Sequence, residues 1–461
     1  MPVTSELLAE YALEVSIDDL PDDVIEQAER LTLDTLACAV GAYAAPPSKV
    51  LRQTYGDRDG SEEPATILGS GAQVDVEYAA LINGTMGRYY DFNCCYSTGE
   101  SACHPSDHIP SLVSVAEAEN ASGADLLEAI VIAYEIQSRG VDTGTAWPNG
   151  FDYTTWGAYS AAASVGALMD LDHEALVNAI GIAGTAENGL LISRLGEVSM
   201  WKAVAMPNTV HNAIKACQMA RNGLTGPAAV LDGDEGSFAD AIAGEPVEFP
   251  ALGGRDGAGY RIMETSIKAF ACGYFTHPAV TAVLDVVQEH DLEPDEIESI
   301  EVRSFEHTVQ VYASGPEKWS TDLTRETADH SLPYNVATAV LHGEVKPEHY
   351  EPDALNDERV HALMQLVSVE ADEELERYRQ EHPRHVPAVA QISARGETYE
   401  SRANYPLGHP ERPLSTAEIE DKARDLMATY LTDTQIQEII DRCEGLAHEE
   451  SVDDIVSALQ I

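Results

Sequence analysis

Apolar positions recur every three to four residues through most of the first 225 positions of the chain, the spacing that one face of a helix requires. In VIEQAERLTLDTLACAVGAY (24–43), Ile25, Ala28, Leu31, Leu36 and Val40 fall at roughly that spacing. ADLLEAIVIAYEIQSRG (124–140) predicts a second helix, which begins after a Ser-Gly pair and stops at Gly140. SAAASVGALM (160–169), rich in Ala and Gly, suits a helix packed closely inside a bundle, and NTVHNAIKACQMARNG (208–223) predicts one that ends at Gly223. No strand alternation is visible in this half. Past the Gly-rich LGGRDGAGY (252–260) the pattern changes. PAVTAVLDVVQEH (278–290) predicts a helix and ESIEVRSF (298–305) a strand with Ile300, Val302 and Ser304 on one face. LVSVEAD (366–372) and QISARGETYES (391–401) also alternate, and HSLPYNVATAVLHGE (330–344) reads as another helix. A helix followed by several strands is an α+β unit. From LSTAEIEDKARDLMATYL (414–431) to the end the pattern is helical again, and no internal repeat or long low-complexity linker interrupts the order.

The 461 residues, 44% of them hydrophobic, supply a large core and exceed what one compact domain usually holds, so two domains are expected. No run approaches 18 uninterrupted apolar residues, and MPVTSELLAEYALEVSIDD has neither a basic start nor an apolar stretch of the kind a signal peptide needs. Seven scattered cysteines, an odd number, do not make a disulfide framework, and a reduced, cytoplasmic protein is expected. Charge changes the picture more: 79 acidic against 27 basic residues, the latter 20 Arg and seven Lys, give a formal −52. Interspersed acids and ample aliphatic content argue for a folded chain rather than disorder. The composition fits a surface adapted to concentrated salt, where a Debye length of about 3 Å mutes self-repulsion. A halophile's cytoplasm and instability in dilute buffer are therefore expected. Nucleic acid is not expected as a partner, because no basic patch exists to replace counterions on phosphates.

Residues 89–110, YYDFNCCYSTGESACHPSDHIP, concentrate chemistry in one stretch. Cys94, Cys95, Cys103 and His104 offer soft ligands, and three thiolates can hold an iron–sulfur cluster. Adjacent cysteines diverge, however, and the chain contains no C-x-x-C, so these thiols read as buried packing residues and no metal is expected. Asp91 and His104 supply a carboxylate and an imidazole, a pair suited to moving protons near neutral pH, although a polar surface loop has the same composition. Three other places mix titratable residues with apolar helix: Lys202 beside Trp201, His277 opening a helix, and Asp329, His330 and Tyr334 in ETADHSLPY. Singly, each also reads as a solvated charge, a helix cap or a core side chain.

Taken together, DFN-x10-HPSD (91–107), SMWKA (199–203), F-x-HPAV (275–280), TRETADHSLPY (324–334) and GHPERPLS (408–415) resemble, in this order, the MmgE/PrpD family. The resemblance covers nearly the whole chain, and within the family these motifs look most like the 2-methylcitrate dehydratase branch. It implies a mainly α fold with an α+β part: a large all-helical domain (1–265), completed by the C-terminal helices (403–461), and a smaller α+β lid domain (266–402). It also implies an active site between them, a homodimer, and a hydro-lyase reaction on a small polycarboxylate without a cofactor, in propionate catabolism. Cis-aconitate decarboxylase and an epimerase are sister branches. Carried over residue by residue, the catalytic set is Asp91, His104, Lys202, His277 and Tyr334, and the substrate-binding set is Lys202, His277, Tyr153, Arg194 and His330. Related dehydratases look like GFDH where this chain has GFDY (150–153). The phenol of Tyr153 donates hydrogen bonds but, with an ordinary pKa near 10, is a poor base.

Overall fold

The computed structural model describes residues 3–56, 63–98 and 101–461; Met1, Pro2, Gly99 and Glu100, which fall within the segments read above, lie outside the described residues. The first part of the chain forms helices α1 (Thr4–Glu14), α2 (Asp22–Gly41), α3 (Pro46–Tyr55), α4 (Val76–Tyr89), α5 (Ile109–Ala118), α6 (Gly123–Asp142), α7 (Thr154–Leu168), α8 (His173–Ala186) and α9 (Trp201–Arg221). Two short antiparallel hairpins interrupt them, β1 (Pro64–Thr66) with β2 (Gln73–Asp75) and β3 (Tyr96–Thr98) with β4 (Ser101–Cys103). Three-residue strands are too short to show alternation, which is why the sequence pattern did not reveal them. The middle contains α10 (His277–Glu289), β5 (Ile297–Ser304), α11 (Glu306–Tyr312), α12 (Arg325–Ala328), α13 (Leu332–His342), α14 (Pro352–Leu355), α15 (Glu358–Met364), β6 (Val367–Ala371), α16 (Glu373–Glu381), β7 (Ala388–Ala394) and β8 (Glu397–Ala403). Helices α17 (Thr416–Met427), α18 (Asp433–Glu444) and α19 (Asp453–Ala458) close the chain.

The observed architecture is mainly α with one mixed sheet of order β6-β5-β7-β8, in which β5 runs parallel to β6 and antiparallel to β7. Helix α10 packs on β7 and β8, and α13 packs on α10 and α15. Ile300, Val302 and Ser304 are all fully buried, as their shared face requires. The run at 391–401 is two strands, not one. Arg395 and Gly396, both at positive φ (58° and 74°), make the two-residue turn between them. Helices α4, α7 and α9 pack against one another or through α9, and α17 lies along α2, so the last helices rest on the first.

Two predicted boundaries move for identifiable reasons. Helix α6 begins where a Ser122–Asp125 capping box satisfies the first free N–H groups, but it runs through Gly140 to Asp142. A β-carbon at Gly140 would lie 2.3 Å from the Trp156 ring, so this glycine admits a neighbouring helix rather than ending its own. Helix α9 starts at Trp201 and passes through Pro207. The ring of Pro207 rests against Gly84 of α4, and that contact accommodates a residue that usually marks a helix start. Among the described residues, no helix is long and apolar enough to cross a membrane.

Candidate active site

Asp91 follows the end of α4 with φ at +50°, a left-handed conformation that aspartate tolerates better than most residues. Its Oδ1 accepts hydrogen bonds from Arg88 Nη1 (2.7 Å) and Lys268 Nζ (2.6 Å), and Lys268 Nζ also donates to the Asp91 carbonyl (2.9 Å). Oδ2 faces Lys202 Nζ at 3.6 Å and His330 Nε2 at 3.7 Å. Burial alone would raise the Asp91 pKa; the cations Arg88, Lys268 and Lys202 prevail and hold it well below the usual carboxylate range.

The β3–β4 hairpin pairs Tyr96 with Cys103 and so returns His104 to the start of its own loop. There His104 Nδ1 lies 2.7 Å from the Cys94 carbonyl oxygen, which can only accept; Nδ1 carries the proton and Nε2 keeps its lone pair. Burial first, then Arg88 and Lys268, push the His104 pKa well below the ordinary imidazole value, so the ring is a neutral base. The turn after it (Pro105–His108) brings in Asp107, which accepts from Asn93 (2.7 Å) and from the Tyr153 hydroxyl (2.8 Å) and sits 3.5 Å from Arg88. Tyr153, just before α7, also receives Arg194 Nη2 at 3.2 Å. Arg194 is in turn held by Asp152 (2.9 Å) and by the carbonyl of Lys202 (2.8 Å).

Lys202, in the first turn of α9, reaches across to the segment after α12 and donates to both Asp329 oxygens (2.8 and 2.6 Å). Burial lowers its pKa, against the raising influence of Asp329 and Asp91. Asp329, despite its burial, is held at about 2 by Lys202 and His330, and it accepts from His330 Nδ1 at 2.6 Å. His330 is therefore also a neutral imidazole, its pKa drawn down to about 4 by burial and Lys202, stacked on Tyr312 with a free Nε2 beside Asp91.

The structure thus brings together Asp91, Lys202 and His330, with Tyr153 and Arg194 joined to them through Asp107 and Arg88, and with His104 edge-on to the Tyr153 ring at 5.5 Å between centroids. It places two expected residues elsewhere. His277 is buried behind Lys268; its Nε2 lies 3.2 Å from the Cys272 carbonyl, which also accepts from Lys268 (3.1 Å). With a pKa lowered to about 3 by burial, this ring is uncharged and its N–H is already committed, so in this arrangement it offers no charge-assisted bond to a carboxylate. Tyr334 is fully buried, and its hydroxyl donates to the His349 carbonyl (2.6 Å), not to a member of the cluster. Arg88, Asp107 and Lys268 are the members that sequence reasoning did not single out; Asp329 is noted in ETADHSLPY but given no role there. Lysine scarcity, the signal that marks Lys202, applies equally to Lys268.

Arg88, Arg194, Lys202, Lys268 and Arg325 face Asp91, Asp107, Asp152 and Asp329, so cations outnumber carboxylates by one within this cluster, in a chain whose formal charge is −52. A cavity of about 590 Å³ opens beside the cluster, lined in part by Tyr89, Met200, Arg325 and Tyr350. Ligand atoms of Asp91, Asp329 and His330 lie within 4.8 Å of one another, a spacing a metal ion could bridge; the Lys202 ammonium already stands beside all three. Among the described residues, Cys94, Cys95 and Cys103 belong to no such group. All three are buried thiols, and Cys94 Sγ meets the Tyr134 hydroxyl at 3.3 Å.

Buried neutral imidazoles make stability depend on pH. His108 (about 4), His277 (about 3) and His330 (about 4) bind protons more weakly in the folded chain than in the unfolded one, where the pKa is near 6.5. The unfolded state therefore takes up protons first, and stability declines as pH falls from about 6.5 toward 4. Each ring contributes a slope of up to about 1.4 kcal/mol per pH unit. Denaturant unfolding in molar KCl at pH 7, 6 and 5 tests this; a constant midpoint across the series would rule it out.

Comparison with known proteins matches residues 6–250 to the MmgE/PrpD N-terminal domain and residues 270–446 to the MmgE/PrpD C-terminal domain. The cis-aconitate decarboxylase-like protein oryM of Aspergillus oryzae is 23% identical, over 99% of this chain and 97% of its own length. The mitochondrial 2-methylcitrate dehydratase of Yarrowia lipolytica is 24% identical over 88% of this chain and 80% of its own. For the 2-methylcitrate dehydratase of Escherichia coli the values are 24%, 90% and 88%.

Proposed function

The chain belongs to the MmgE/PrpD family, an enzyme family, and from that premise we propose that it dehydrates 2-methylcitrate to 2-methyl-cis-aconitate. The reaction would take place in a cleft between a helical domain (1–265 with 403–461) and an α+β lid (266–402). The observation that carries this reading is the meeting of Lys202, from the helical part, with Asp329 and His330, from the part after the sheet begins, beside Asp91. Dehydration removes a proton next to a carboxylate and expels a neighbouring hydroxyl, so it needs a neutral base, a proton donor and cations for the substrate's charges.

In this reading His104 Nε2 takes the proton, the C–H electron pair forms the double bond, and the hydroxyl leaves as water with a proton from Lys202. Asp91, held ionised by its cations, is too weak a base for the first step; it orients Lys202 and Lys268. Arg194, Lys202 and Arg325 are assigned to the substrate carboxylates in this reading; of these, Arg325 lines the cavity. The excess of cations suits a polycarboxylate, because molar salt leaves only short-range contacts to decide binding. A homodimer is part of this proposal. Leu190, Ile192 and Trp201, which are 60%, 71% and 50% exposed beside Lys202, suit a surface that a second copy would cover.

A second reading, decarboxylation of cis-aconitate on the same residues, is favoured by the likeness to oryM. Incubation with 2-methylcitrate, citrate and cis-aconitate in molar KCl separates the two. Rising ultraviolet absorbance from 2-methylcitrate is the expected result; CO₂ release from cis-aconitate instead would favour the second, and silence on 2-methylcitrate would retire the first. His104→Asn keeps an amide donor at the Nδ1 position for the Cys94 carbonyl but lacks the basic nitrogen. Its kcat is expected to fall by about 10²- to 10⁴-fold with the near-ultraviolet circular dichroism unchanged. Near-wild-type turnover in this variant would remove His104 from the mechanism.

A further inference from the structure

Behind the candidate site lies a second lysine contact that none of the motifs includes. Lys422, on α17, places its ammonium 2.6 Å from the carboxylate of Asp34, on α2. It also donates to the carbonyls of Phe92 (2.7 Å) and Lys268 (2.9 Å), and it sits 3.8 Å above the centre of the Phe92 ring. Both charges are withdrawn from water: Asp34 is fully buried and the Lys422 side chain is 8% exposed.

An ammonium has three N–H donors; Lys422 gives two of them to these carbonyls and faces Asp34 as an ion pair. Lys268 repeats the arrangement one layer further in, with the Asp91 carbonyl, the Asp91 carboxylate and the Cys272 carbonyl. The two lysines therefore form a ladder. Lys422 grips the main chain of Lys268, and Lys268 grips the main chain and carboxylate of Asp91, while Lys422 also takes the very next carbonyl, that of Phe92. The left-handed backbone at Asp91 is thus held on both of its following carbonyls.

We infer that Lys422, with Asp34 as its buried counter-ion, is a positioning residue for the reaction. Through it the C-terminal helix α17 sets the separation of Lys268 and Asp91, and with it the orientation of the Asp91 carboxylate toward Lys202. This inference rests on the proposed function for its kinetic consequence but not for its geometric one.

Lys422→Met alone would leave Asp34 buried without its cation and could cost the fold, so the informative protein is the double variant Lys422→Met/Asp34→Asn. In molar KCl its kcat for 2-methylcitrate is expected to fall by about a hundredfold with KM little changed, as misplacement of a catalytic constellation by an ångström would produce. Lys422→Arg should recover part of kcat. Hydrogen exchange at residues 91–95 and 266–272 should quicken, while exchange within α2 stays as in the wild type. A folded double variant with wild-type kcat, or with unchanged exchange in those two segments, overturns the inference. Should the wild type itself ignore 2-methylcitrate, the dehydratase reading fails, and the exchange measurement alone still decides whether Lys422 sets this geometry.

Discussion

Lys202→Met is expected to abolish turnover and to weaken the fold at once. The ammonium it removes is buried and is bound to both oxygens of an equally buried Asp329. Taking away one partner of such a pair leaves an uncompensated charge, a loss of about 3–5 kcal/mol. Stability and catalysis separate in the double variant Lys202→Met/Asp329→Asn. It should regain most of the lost stability, since no isolated charge remains, and should still be inactive, since neither the proton donor nor the carboxylate-binding cation has been restored. Chemical denaturation of both proteins alongside the turnover assay checks this. Wild-type rates in either variant would show that the convergence of Lys202, Asp91 and His330 serves the fold and not the chemistry.

Dialysis from molar KCl into about 10 mM salt is expected to unfold the chain. At that concentration the Debye length grows from about 3 Å to about 30 Å, so the exposed majority of the 79 acidic residues repel one another, in a chain with only 27 basic ones. The proposal is that this surface is matched to concentrated salt. The buried pairs around Asp91 would not respond in the same way, because they are shielded from the ions of the solvent. Loss of helical circular dichroism should therefore follow ionic strength in general, with sodium, potassium and choline chlorides acting alike. A chain that keeps its full helical signal in dilute buffer would refute the salt-adapted reading.

Much of the helical architecture was legible from periodicity alone. The helix predicted over 278–290 is α10, and the strand predicted over 298–305 is β5, displaced by one residue. Two of the failures share one cause. Gly140 and Pro207 carry strong local signals for ending or starting a helix, and both are overruled by a neighbouring helix: Trp156 of α7 in the first case, Gly84 of α4 in the second. The β3–β4 hairpin escaped notice because three residues give no alternation, yet it is what folds His104 back onto Cys94.

The motifs and the rarity of lysine identified the chain's family and several members of its buried cluster, because residue type and order along the chain are local properties. They also set its charge, and with it the expectation of a salt-dependent surface. What only the tertiary structure decided is which donors and acceptors remain available. His277 spends its N–H on Cys272 and Tyr334 spends its hydroxyl on His349, whereas Lys268, which no motif contains, lies on Asp91. Sequence names the chemical groups, but a hydrogen bond is settled by distances between segments as remote as Asp91 and Lys268 or Asp34 and Lys422, and those distances come from how the helices pack.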